Sequence, residues 1–92
     1  GNHERALGHF DQADDLFAAN FGPDHWIVAQ NLASKAVSLR ELERHEEAET
    51  SFLRAFEILE VEWEPDHPDL VAARAEYAEL LRRVDSASHA QP

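Results

Sequence analysis

The triplet Pro-Asp-His occurs twice, at 23–25 ahead of Trp26 and at 65–67 ahead of Pro68, 42 residues apart. A histidine beside a carboxylate has the side chains of a metal or acid–base site. The spacing argues against one, because no further His or carboxylate at ligand spacing completes a shell around either His25 or His67. The same residue types suit a helix start, where Asp24 and Asp66 would accept backbone N–H bonds and favour the positive helix end, with His completing the turn. Other candidates for chemistry are equally bland. The adjacent carboxylates Asp14 and Asp15, and Glu46 and Glu47, point in different directions on a helix, and Ser34, Ser38 and Ser51 carry no nucleophile motif. Trp26 and Trp63 flank loop and helix ends, where packing against the next helical hairpin is the simpler role. With no cysteine there is no thiolate site. No catalytic residue, metal or cofactor is expected, and the chain does not read as an enzyme.

These residues sit on helices. From Trp26 to Arg40 the apolar positions Trp26, Ala29, Leu32, Ala33, Ala36, Val37 and Leu39 recur at three- and four-residue steps, which predicts a helix over about 26–41. Ala48, Phe52, Ala55, Phe56 and Leu59 predict a second over 45–62. Pro68 breaks the chain yet suits a first helical position, so a third helix is expected over 68–84, with Leu70, Val71, Tyr77, Ala78 and Leu81 on one face. Phe10, Ala13, Leu16 and Phe17 predict a shorter helix from 10 to 20. Residues 85–92, DSASHAQP, have the composition of a disordered tail.

The helices are copies of one another. Residues 8–20 align with 43–55 at an offset of 35, pairing Ala13 with Ala48 and Phe17 with Phe52. Residues 23–40 align with 65–82 at an offset of 42, pairing the whole triplet, Ala33 with Ala75, Ala36 with Ala78, Leu39 with Leu81 and Arg40 with Arg82. The difference of seven falls between Asn20 and Pro23, so the first helix is predicted to be about two turns short, at ~3.6 residues per turn, with Trp26 filling the space. Residues 1–7 would then be the end of an earlier helix.

The small and large residues Ala36, Ala48, Phe52 and Ala55, with GPDH at 22–25, HEEAETSFLRAFEI at 45–58 and EPDHPDLVA at 64–72, resemble the tetratricopeptide repeat family, in particular its 42-residue kinesin-light-chain variety. The resemblance implies an all-α fold of tandem antiparallel helical hairpins over 1–84: a partial repeat at 1–22, a complete one at 23–64 and the first helix of the next at 65–84. It departs at Glu43, where the family has a turn glycine that Gly8 keeps, at Lys35, and at Arg74. Such a fold implies a scaffold that presents a concave groove to a peptide or protein. Carried over, that face is Gln30, Ala33, Ser34, Val37, Arg40 and Glu41 on one helix. On the next it is Ala72, Ala75, Glu76, Glu79, Arg82 and Arg83, with Arg40 and Arg82 placed to grip a carboxylate. Ser34 and Glu76 stand where the family presents asparagine. The alternative is a structural segment that stacks through open repeat ends. There Leu80, Leu81 and Val84 would form an exposed patch, and a homodimer through this terminal helix would cover it.

Composition narrows the partners. Ninety-two residues make one small domain, able to bury about 60–65% of its unfolded surface. Nineteen acidic residues against eight basic ones leave a net charge of −11, unsuited to nucleic acid or an anionic membrane surface. No apolar run approaches the ~20 residues that span a bilayer. A soluble, cytoplasmic protein is expected, its acidity serving either solubility in a high-salt cytoplasm or the attraction of cations or basic partners. Because methionine is absent even at position 1, a segment of a longer chain is the expectation.

Overall fold

Four helices follow one another: α1 (Asn2–Phe21), α2 (Trp26–Glu41), α3 (His45–Glu62) and α4 (Pro68–His89). The structure is a computed structural model that describes residues 1–89, with side chains through residue 86. Helix α2 lies between α1 and α3, α4 packs on α3 and touches α2, and among the described residues α1 does not reach α4. The result is an open stack of extents 48 × 32 × 17 Å, all-α and built of helical hairpins.

Alanines allow the helices to approach. Ala29 and Ala36 of α2 and Ala48 and Ala55 of α3 are fully buried, and Phe52, Leu39, Leu59, Leu70 and Leu80 fill the space around them. Two connections carry the reversals. Between α2 and α3 the Glu43 N–H bonds to the Arg40 carbonyl (3.0 Å) and the Arg44 N–H to the Leu39 carbonyl (2.9 Å), the paired bonds of a Schellman turn. That turn needs a left-handed residue, and Glu43 supplies it at φ 61° where the repeat pattern has glycine. Helix α1 ends at a second positive φ, at Gly22 (93°), in an extended rather than left-handed helical conformation (ψ 154°) that glycine tolerates.

Helix α1 corrects the reading of Gly8 as a turn and of residues 1–7 as part of an earlier helix, for it runs unbroken from Asn2. Leu7 is buried, and with Phe10, Ala13 and Phe17 it forms one stripe that crosses Gly8. An interior glycine costs about 1 kcal/mol against alanine, whereas burying a leucine contributes about 1.5–3 kcal/mol, so the continuous helix wins. At its other end α1 stops at Phe21, while α3 runs to Glu62, whose counterpart 35 residues earlier is Ile27. The early end is as expected, but α1 is not the shorter helix, having 20 residues against 18, and Trp26 does not fill the gap. It stays 38% exposed and turns toward Trp63, ring centroids 6.0 Å apart.

Both Pro-Asp-His triplets cap helices, but through histidine. His25 Nδ1 accepts the Ile27 N–H (3.1 Å) and His67 Nδ1 the Asp69 N–H (3.2 Å), which requires each ring's proton on Nε2. Asp24 is drawn instead to Arg54 of α3. The capping rings join a row: Phe21 stands 5.0 Å from His25, His25 5.3 Å from Trp26, and Trp63 stacks on His67 at 3.9 Å.

At the C-terminal end, α4 continues through 85–89, where a disordered tail was expected. No Pro or Gly interrupts 69–89, so nothing local stops the helix. Residues 90–92 lie outside the described residues. The expected end-stacking patch is also corrected. Leu80 is completely buried, because it continues the Leu70, Ala73, Tyr77 stripe onto α3, while Leu81 and Val84 remain exposed.

Candidate interaction groove

Helices α2 and α4 diverge around a cleft of about 330 Å³. Its α2 wall carries Ala33, Ser34 and Val37, its α4 wall Ala72 and Glu76, and it is backed by Phe52 and Leu59 of α3 with Trp63 at its edge. Periodicity explains the walls: positions 30, 33, 34 and 37 share one face of α2, and 69, 72, 73 and 76 one face of α4. A side-chain bridge crosses at each end. Gln30 Nε2 donates to Asp69 Oδ2 (3.0 Å), and Arg40 donates to the Glu76 carbonyl (2.9 Å) and Oε1 (3.3 Å). Ten residues of helix, about 15 Å, separate the two bridges along α2.

Six of the residues named from sequence therefore meet: Gln30, Ala33, Ser34, Val37, Ala72 and Glu76. Ala75 is exposed and outside the cleft. Glu79 and Arg82 lie beyond Arg40 in a second, charged depression with Glu41 and Arg83. Sequence reading missed Phe52 and Leu59, which looked like ordinary core, Trp63, which read as packing against the next hairpin, and Asp69, which no sequence signal singled out.

Arg40 is not placed to grip a ligand. Its side chain is 6% exposed, and its terminal nitrogens are bonded to Glu76 and to Glu41 Oε1 (3.0 Å). Glu41 in turn receives Arg83 through both oxygens, at 2.7 and 3.2 Å. The Arg83 bonds, and after them the Arg40 bond, hold the Glu41 carboxyl down from 4.5 to about 2. Glu79 is also lowered, by Arg82 and then Arg83. Lys35, in place of an apolar residue, pairs with Asp11 of α1 at 2.7 Å.

A pH dependence follows from Glu41. Its depressed carboxyl stays ionised where the unfolded chain would take up a proton, so its contribution is complete above about 4.5 and is lost as pH falls toward about 2. Urea midpoints measured down this range should fall steeply for the wild type and less steeply for Glu41→Gln. Equal slopes would mean the Arg83–Glu41 link does not tie α4 to α2.

The helical pairs, their turn and the offset of 42 define a repeat array, and the family model for the tetratricopeptide repeat matches residues 1–60. The chain belongs to the tetratricopeptide repeat family. The matched span covers α1, α2 and nearly all of α3, and α4 repeats α2. No curated protein matches the chain. Tetratricopeptide repeats generally mediate protein–protein contact and are typically not enzymes. Among the described residues no cluster of three or more His, Asp or Glu is arranged for a metal ion, and no helix is long and apolar enough to cross a membrane.

Proposed function

We propose that this tetratricopeptide repeat segment is an interaction module whose cleft between α2 and α4 receives an extended peptide segment of a protein partner. The observation that carries the reading is the cleft itself: small walls at Ala33, Ser34 and Ala72, an aromatic and aliphatic back, and bridges that hold the two helices apart. Small side chains leave room for a ligand backbone, and the 15 Å between bridges takes about four or five extended residues at ~3.3 Å each. The alternative of stacking through open repeat ends draws less support, since Leu80 is core and only Leu81 and Val84 of its patch are exposed.

A displayed library of short random peptides tests the reading. Selection on the wild type should enrich binders whose affinity drops at least tenfold in Val37→Glu and in the neutral blocking pair Ser34→Gln with Ala72→Gln. Ser34 and Ala72 are exposed, so that pair preserves the fold. Enrichment that survives both changes would place the binding surface elsewhere.

A further inference from the structure

We infer that the segment taken up by this cleft is cationic as well as apolar: one or two aliphatic or aromatic side chains flanked by Lys or Arg. The inference rests on the groove reading above and adds the chemistry of its occupant. Three observations carry it.

The rim is acidic. Asp69 and Glu76 stand on the α4 wall, and among the described residues that line the cleft none is basic. Each acid has one oxygen in a bridge, Asp69 Oδ2 to Gln30 and Glu76 Oε1 to Arg40. Asp69 Oδ1 and Glu76 Oε2 have no partner among the described residues, and the Glu76 side chain is 47% exposed. Two carboxylate oxygens are thus available for charge-assisted hydrogen bonds from an ammonium or guanidinium.

The nearby cations are already committed. Arg40 is buried against Glu41 and Glu76, Lys35 is turned to Asp11 of α1, and Arg82 and Arg83 hold Glu79 and Glu41 beyond the bridge. A ligand carboxylate would meet two like charges on the rim and no free guanidinium inside. This reverses the preference that Arg40 and Arg82 suggested from sequence.

The long-range field has the same sign. A net charge of −11 on 92 residues draws positive segments and repels acidic ones. The back of the cleft supplies what charge alone does not, an apolar pocket at Val37, Leu59 and Trp63 for an anchoring side chain. In an extended segment residues i and i+2 share a face, so a Lys two positions from the anchor reaches along the same wall toward Asp69 or Glu76.

The test uses three capped heptapeptides with the same central leucine, carrying Lys, Gln or Glu two residues to either side of it and alanine elsewhere, titrated calorimetrically into the whole chain. The Lys peptide should bind at least tenfold more tightly than the Glu peptide at about 50 mM salt and weaken as salt is raised. It should fall to the level of the Gln peptide in Asp69→Asn with Glu76→Gln. The charge-matched control Asp15→Asn with Glu46→Gln, both exposed and neither lining the cleft, should leave it within twofold. If the Glu peptide binds as tightly as the Lys peptide, and the Ser34→Gln, Ala72→Gln pair abolishes both, the charge preference is wrong and the groove reading stands. If Lys-peptide binding follows total charge and ignores the blocking pair, or if none of the three binds, both readings fail.

Discussion

Phe52→Ala should remove about 4 kcal/mol of stability, within the 3–5 kcal/mol typical of truncating a buried phenylalanine. Phe52 is completely buried on α3, the helix that contacts both α2 and α4, with its ring 6.3 Å from Phe56 and 5.6 Å from Tyr77. Its removal opens a void where three helices meet, and an open stack has few other contacts to close around it. A domain of 92 residues has roughly 5–14 kcal/mol in all. At about 4–8 °C per kcal/mol, the melting temperature should drop by roughly 15–30 °C. Leu53, the next residue, is 44% exposed, and Leu53→Ala should change stability by less than about 0.5 kcal/mol. Denaturant unfolding followed by far-UV circular dichroism measures both. A loss below about 1 kcal/mol for Phe52→Ala would show that the three-helix junction is not where this fold holds together. Because Phe52 also backs the cleft, any folded remainder should bind peptide poorly.

The helices around Phe52 were the legible part of the molecule. The apolar steps, with the break that ends at Pro68, place α2 at 26–41 and α3 at 45–62, as observed, because local period and punctuation agree there. Where local and tertiary signals conflict, the sequence misleads. Gly8 has the repeat position of a turn, but burial of Leu7 carries the helix through it. Asp24 has the composition of a cap, but Arg54, 30 residues away, takes its carboxylate and leaves the cap to His25. Helix α4 carries two apolar stripes, one through Leu70, Ala73, Tyr77 and Leu80 and another through Val71, Ala78 and Leu81. Periodicity cannot say which of them α3 will cover. The helices that wall the cleft were readable from the family resemblance, but the α4 face was only partly so, since Ala75, the counterpart of Ala33, lies outside the cleft while Ala72 lines it, and the electrostatics depend on pairings between residues 36 to 42 apart.

Arg40 shows how far such a pairing changes function. An arginine late in a helix reads as an exposed partner of the helix dipole or as a ligand grip, and either role predicts that Arg40→Met costs little stability. The structure predicts the opposite. Arg40 is 5% exposed, and removing its guanidinium strips the Glu76 carbonyl and both carboxylates of a donor. Breaking a buried pair from one side costs about 3–5 kcal/mol. The value here should sit near 3 kcal/mol, because Glu41 keeps Arg83 and the half-exposed Glu76 side chain can turn to water. Arg82→Met, at a 66% exposed site paired among the described residues with Glu79, should cost less than about 1 kcal/mol. Binding separates the two roles further. With Arg40 gone, Glu76 Oε1 is released to the rim, so affinity for the Lys heptapeptide should hold or rise while stability falls. Were Arg40 a ligand grip, stability would hold and affinity for the Glu heptapeptide would be lost. Unfolding curves and titrations on the same two variants decide between them.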